Sequence, residues 1–237
     1  MIEIVNNHYS VKLPHYAALL HYQLSSLTLH PSRDCLVRYR LFATADDPAA
    51  WKVIRFHEDR LGTNLIVHVW TPGEVGRRSI GRNHSSKVSD ADILWFADGD
   101  FAFCFGILDR LAAMPWPEGV ELRFPKVIMA QKEHKAGDRM AKELDLDHLK
   151  LEDVDPVDFM PQRFIRAIGG VQIVRGDWAR EHGYLPYGKW QEPTPTPFRD
   201  TKDDVEFRRQ IKNAGGRAEG IDLPGVYRLR HSTCARY

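Results

Sequence analysis

Residues 93–100 read ILWFADGD: five apolar positions, then Asp98, Gly99 and Asp100. An unbroken apolar run reads as a strand covered on both faces. The two carboxylates then stand where such a strand leaves the core. Gly99 has no Cβ, so the chain can turn there and bring Asp98 and Asp100 together. Two adjacent carboxylates repel, and a hard divalent cation with oxygen ligands removes that repulsion. The pair is therefore a candidate site for such a cation, with positions left for phosphate oxygens.

Upstream, three more apolar runs alternate with helical patterns. Residues 2–5 (IEIV), 35–44 (CLVRYRLFAT) and 65–70 (LIVHVW) read as strands. Residues 14–29, with Leu19, Leu20, Leu24 and Leu27 at helical spacing, read as a helix, as do 49–61 and 77–89. The order β-α-β-α-β-α-β with apolar strands predicts a doubly wound α/β core. Ligands of such sheets bind at the carboxyl ends of the strands. Asn6, Asp46, Asp47, Asp98 and Asp100 all stand at such ends. Asn6, Asp46 and Asp47 are thus candidate base or ribose contacts, and also ordinary turn residues.

Downstream the pattern is less regular. A helix is expected near 138–150, a strand interrupted by Gly169-Gly170 over 165–175, a helix over 203–214 and a last strand over 225–231. Residues 185–199 hold four prolines and read as a long loop, able to close over a bound substrate. Trp178, Tyr187 and Trp190 are candidate stacking platforms, although aromatics more often fill cores.

Composition narrows the class. The 237 residues carry 33 Lys and Arg against 32 Asp and Glu, a formal net charge of +1. Global charge therefore does not favour a nucleic-acid or membrane partner. Cys35, Cys104 and Cys234 form no C-x-x-C pair, which argues against a zinc ribbon and suits a reducing compartment. No apolar run approaches the ~18 residues of a membrane span, and the N-terminus does not read as a signal peptide. The expectation is a cytoplasmic protein.

Residues 78–100 (RSIGRNHSSKVSDADILWFADGD) resemble the donor-site core of GT-A fold glycosyltransferases of the family 2 type, in which an Arg- and Asn-bearing helix precedes a strand ending in D-x-D. Three further stretches fit in order. Residues 168–175 (IGGVQIVR) resemble the strand that shapes the acceptor side. Residues 202–207 (KDDVEF) resemble the start of the base-bearing helix, and 228–231 (RLRH) the late strand whose His completes the metal site. The resemblance implies one GT-A domain over 1–237, with a donor half at 1–105 and an acceptor half at 106–237. It implies an inverting, metal-dependent transferase that moves a sugar from a nucleotide-sugar, foremost a UDP-sugar, to an acceptor hydroxyl.

The same resemblance implies the roles. Asp98, Asp100 and His231 would hold Mn²⁺ or Mg²⁺, with Asp98 also near the ribose. Arg78, Arg82, Asn83, Arg228 and Arg230 would face the nucleotide diphosphate. The family's Glu-Asp pair reads Asp203-Asp204 here, which makes Asp204 the base and Asp203 its companion on the acceptor hydroxyl. Strand alternation puts Arg228 and Arg230 on one face and His231 on the other. All three reach the phosphates only if the strand ends or bends there.

The acceptor is open: saccharide, lipid-linked sugar, protein or small molecule. Phage-type transferases acting on hydroxymethylated DNA bases are an alternative, for which Arg163, Arg166, Arg175, Arg208, Arg209 and Arg217 are the candidate phosphate contacts. Readings of other classes are a haloacid-dehalogenase-like phosphatase, which expects its D-x-D after the first strand, and a non-catalytic sugar-binding module. A nucleotidyltransferase would want a Gly-rich basic loop after the first strand, where residues 5–10 read VNNHYS.

Overall fold

A computed structural model of the chain describes residues 1–11, 15–133, 136–195 and 202–231. Eleven strands and eight helices are described. The strands are β1 (Ile2–Asn7), β2 (Val37–Ala43), β3 (Leu65–Val69), β4 (Ile93–Phe96), β5 (Phe101–Phe103), β6 (Val120–Pro125), β7 (Val127–Gln131), β8 (Phe159–Arg163), β9 (Gln172–Arg175), β10 (Arg217–Ile221) and β11 (Val226–Arg228). The helices are α1 (His15–Leu29), α2 (Pro48–Leu61), α3 (Pro72–Gly76), α4 (Arg78–Val88), α5 (Ile107–Ala113), α6 (Ala136–Glu143), α7 (Gly176–His182) and α8 (Asp203–Asn213).

Seven strands form one sheet in the order β10-β6-β9-β4-β1-β2-β3. Strands β1 to β4 are parallel, as their apolar sequences predict, and β10 is parallel to β6. Only β9 runs against its neighbours β4 and β6. Strands of both halves of the chain build this sheet. A second sheet, β5-β11-β7-β8, lies beside it. Its inner face shares a core with the large sheet, where Phe103, Ile128 and Val226 pack with Trp95 and Ile173. Tyr227 and Phe159 on its other face pack with Leu19 and Tyr22 of α1.

Local chemistry sets the helix starts. The Asp47 carboxylate caps α2 by accepting from the Ala50 amide, and Pro48 opens the helix. Thr71 and Glu74 form a reciprocal capping box on α3. Helix α4 buries Ser79, Gly81, Ser85 and Ser86, small residues that let it lie close on β1 and β2. A Cβ at Gly81 would meet both Asn7 and Phe42 at 2.7 Å.

The regular expectations for the first half hold within a few residues. The second half differs. The helix expected over 138–150 is α6, which starts and stops earlier. Of the expected strand 165–175, only Gln172–Arg175 is a strand; the preceding residues form an irregular wall. The segment 185–195 is docked rather than free: Trp190 is buried, its carbonyl accepts from Ser79 Oγ, and the Thr194 amide donates to the Gly73 carbonyl. Residues 196–199 of the expected lid lie outside the described residues. Among the described residues no helix is long and apolar enough to cross a membrane.

Candidate active site

The D-x-D segment is the crossing between the two sheets. Chain leaving β4 passes Ala97, Asp98, Gly99 and Asp100 and enters β5. Strand β11 pairs antiparallel with β5, setting Arg228 opposite Phe101. The Leu229 amide then donates to the Asp100 carbonyl at 2.8 Å. The C-terminal strand is thereby fixed alongside the carboxylates, 128 residues away in sequence.

A cleft of about 480 Å³ opens there, lined by Asp98, Asp100, Asp204, Arg78, Arg228 and His231 among others. Asp100 Oδ2 accepts from Arg228 Nε at 2.9 Å and lies 3.8 Å from His231 Nε2. Strand β11 stops at Arg228, so His231 is released from strand alternation and reaches the same carboxylate. Its ring stands edge-on to Tyr16, with centroids 5.2 Å apart. Arg230 does not line the cleft; its amide donates to Gln131 Oε1 and its carbonyl accepts from the Gly137 amide.

Asp98 has a different environment. Its Oδ1 accepts from Arg78 Nη1 at 2.9 Å and from Arg82 Nη2 at 3.2 Å. Burial pushes its carboxyl up, but Arg78, Arg82 and Arg228 outweigh burial and hold it below the usual carboxylate range. The same two arginines face Asp203, at 3.2 Å from Arg78 and 3.6 Å from Arg82. Arg82 is 1% exposed and also donates to Gln172, Tyr184 Oη and the Gly169 carbonyl. Two guanidiniums and two carboxylates thus form a closed quartet that ties α4, the D-x-D turn and the start of α8.

Asp203 and Asp204 part company at that helix start. Asp203 is buried in the quartet, whereas Asp204 lines the cleft, where Arg208 one turn on donates to its Oδ2 at 3.0 Å.

Other predicted residues stand behind the cleft wall. Asn6 is buried, donating to Gln23 and Tyr39, and Gln23 in turn donates to the Asp98 carbonyl at 3.0 Å. Asp47 is spent on the α2 cap and on Ser10, which holds the His8–Tyr9 stretch of the cleft; Asp46 is exposed. Asn83 bonds Gln191 and the Tyr184 amide. Trp178 and Trp190 are buried, and Tyr187 is half exposed. Of the six second-half arginines, Arg175 pairs with Asp177, Arg208 with Asp204 and Arg209 with Glu206, while Arg217 donates to the Glu118 carbonyl.

Sequence reasoning missed much of the lining, including His8, Tyr9, Tyr16, Gln162 and Phe164, whereas Arg166, named as a candidate phosphate contact, does line it. Period-two spacing of Gln162, Phe164, Arg166 and Ile168 was the available signal. A Cβ at Gly170 would lie 2.3 Å from Phe101, so the Gly-Gly pair lets this wall close on the D-x-D turn.

The residues fit a divalent cation to the extent of two ligands. Asp100 Oδ2 and His231 Nε2, 3.8 Å apart, are an oxygen and a nitrogen donor of the kinds that Mn²⁺ or Mg²⁺ would take. Among the described residues no group of three or more His, Cys, Asp or Glu side chains converges as a metal cluster. Further positions on such an ion would belong to substrate oxygens and water.

No protein-family model and no curated protein sequence matches the chain. Solved structures do match in fold. S. aureus TarS superposes with a TM-score of 0.62 at 14% identity, over 96% of this chain and 36% of that one. GalNAc-T7, solved with UDP, GalNAc and Mn²⁺, gives 0.63 at 11% identity, over 98% and 44%. The mannosyltransferase PcManGT from Pyrobaculum calidifontis, solved with GDP-Man and Mn²⁺, gives 0.55 at 12%, over 97% and 56%. The chain therefore spans about a third to somewhat over half of the length of these proteins. Its fold is that of the GT-A glycosyltransferases, as the order of its motifs implied.

Proposed function

We propose that the chain is an inverting, metal-dependent glycosyltransferase that moves a sugar from a UDP-type donor to an acceptor hydroxyl. The observation that carries this reading is the convergence of Asp98, Asp100, His231 and Asp204 on one cleft at the D-x-D crossing of a GT-A fold. Similar folds solved with UDP-GlcNAc, GDP-Man or UDP support the donor class.

Asp100 and His231 would hold Mn²⁺ or Mg²⁺, with Asp98 beside them toward the ribose. When bound, the ion supplies Lewis-acid stabilisation of the leaving diphosphate. Arg228 moves from Asp100 to phosphate oxygens, which a guanidinium binds through a fork of hydrogen bonds. Arg78 and Arg82 orient Asp98 from behind, and Asn6 does so through Gln23. Asn83 and Asp47 support the walls, while Asp46 and Arg230 remain candidates for outer donor contacts.

Asp204 acts as the base. The acceptor oxygen forms a bond to the anomeric carbon as the bond from that carbon to the phosphate oxygen breaks. The hydroxyl proton passes to Asp204, and the electron pair leaves with UDP. A base placed on the face opposite the leaving group gives inversion. Asp203, buried beneath, is a positioning residue. We take 1–237 as one catalytic domain, with 1–105 mainly serving the donor and 106–237 mainly the acceptor. Cys35 and Cys104 are free thiols, which accords with a cytoplasmic setting.

A nucleotide-sugar panel, read by mass shift of an acceptor library and by nucleotide release, tests the assignment. Release that requires Mn²⁺ or Mg²⁺ and yields a glycosylated product supports it. Binding without turnover for every donor would favour a sugar-binding module.

A further inference from the structure

Around the cleft, arginines and carboxylates are matched. Arg78 and Arg82 face Asp98 and Asp203, Arg228 faces Asp100, and Arg208 faces Asp204. Arg166 lines the same cleft, and among the described residues it has no carboxylate partner. Among the described residues it is the surplus cation of the site.

Its position says which substrate it serves. Residues 162–168 run along one wall, as the end of β8 and the irregular stretch that follows it. The even positions Gln162, Phe164, Arg166 and Ile168 line the cleft. The odd positions Arg163 and Ile165 point away, and Ile165 is 93% exposed. Ala167 breaks the alternation to solvent: it is buried, and its carbonyl accepts from Arg208. Arg208 is the residue that holds Asp204. Arg166 is thus adjacent in sequence to the support of the base. The diphosphate side, by contrast, already has Arg228 beside Asp100.

We propose that the acceptor carries an anionic oxygen group, a carboxylate or a phosphate, close to the hydroxyl that receives the sugar, and that Arg166 binds it. The inference rests on the glycosyltransferase reading. A guanidinium matches both groups by the same two-pronged geometry. Phe164, one step along the wall, offers an apolar face to the acceptor's carbon skeleton. The chain's net charge of +1 provides no general attraction for anions, so a preference for them must come from a local group.

Three small probes share a polyol skeleton and differ in charge: glycerol, glycerate and glycerol 3-phosphate. Their dissociation constants would be measured by saturation-transfer NMR on the wild type and on Arg166→Gln, with the donor side filled by UDP and Mg²⁺. The expected result is tighter binding of an anionic probe than of glycerol by about 10-fold or more, the scale of one charge-assisted contact. Arg166→Gln should erase that margin, and Arg166→Lys should restore part of it. Preference for glycerol 3-phosphate would identify a phosphate ester; equal binding of glycerate would show that a carboxylate suffices. Equal binding of all three probes, or an anion preference that survives Arg166→Gln, would overturn the proposal while UDP binding left the functional reading standing. Absence of UDP binding would overturn both. Because Arg166 is exposed, its replacement does not burden folding.

Discussion

The two walls of the cleft are built on different terms. On the wall proposed to hold the donor, Arg78, Arg82, Asp98 and Asp203 each have an opposite charge beside them, and Arg82 and Asp203 are buried: Arg82 donates to Asp98, Gln172, Tyr184 and a backbone carbonyl at once. On the acceptor wall, residues 162–168 present alternating side chains from an irregular segment, with Ile165 almost wholly exposed. A charge-paired network with buried members holds one geometry, because losing any member strands the others. An open wall tolerates change. The contrast suits a site that must place a diphosphate with little latitude and take up an acceptor of its own.

Mutations at the junction of the walls should have the largest effects. Asp204→Asn should slow the chemical step by about 10²–10⁴-fold and leave UDP affinity nearly unchanged, read by single-turnover kinetics and calorimetry. Asp203→Asn should act on stability first, because it unbalances a buried quartet. A live Asp204→Asn beside a stable, dead Asp203→Asn would move the base one residue back.

Within the donor wall, Arg82→Met leaves Asp98 and Asp203 short of a partner. Breaking a buried ion pair costs about 3–5 kcal/mol, and the loss should appear as a lower denaturation midpoint in urea. A neutral outcome would mean that the quartet is not the rigid element described here.

Between α2 and α1, His57 Nε2 and His21 Nδ1 lie 3.1 Å apart. Burial, with help from His21 and Arg60, depresses His57 to about 3. The unfolded chain binds that proton near pH 6.5 and the folded chain does not. Stability is therefore full above pH 6.5 and falls as pH drops toward 3, by on the order of a few kcal/mol. His57→Gln should flatten this acid limb in urea titrations at stepped pH.

The acceptor wall gives the smallest effect. Ile165→Ser should change stability by less than about 0.5 kcal/mol, since the side chain packs against little.

The same contrast governs what the sequence disclosed. Strands β1 to β4 are covered on both faces, so their apolar runs stand out, and the helices between them follow a 3.6-residue period. The D-x-D turn lies at the end of such a run and was legible for that reason. Of the second sheet only β11 was read, within the strand expected over 225–231: β5 has just three residues and β8 contains Pro161. Their pairing is set by tertiary contacts rather than by pattern. Nor could a linear reading see that Arg78 meets Asp203 across 125 residues, or that Asp203 and Asp204 turn to different environments. The family order of motifs supplied what periodicity could not.

The central claim is that Asp100 and His231 hold a divalent ion through which the cleft binds a nucleoside diphosphate. Calorimetric titration of UDP into the protein, with Mn²⁺ and then with EDTA, tests it most directly, using wild type, Asp100→Asn and His231→Ala. The expected result is binding that requires Mn²⁺ and is lost or much weakened in both variants, while each stays folded by circular dichroism at the temperature of the titration. UDP binding of equal strength in EDTA, or unchanged in Asp100→Asn, would contradict it.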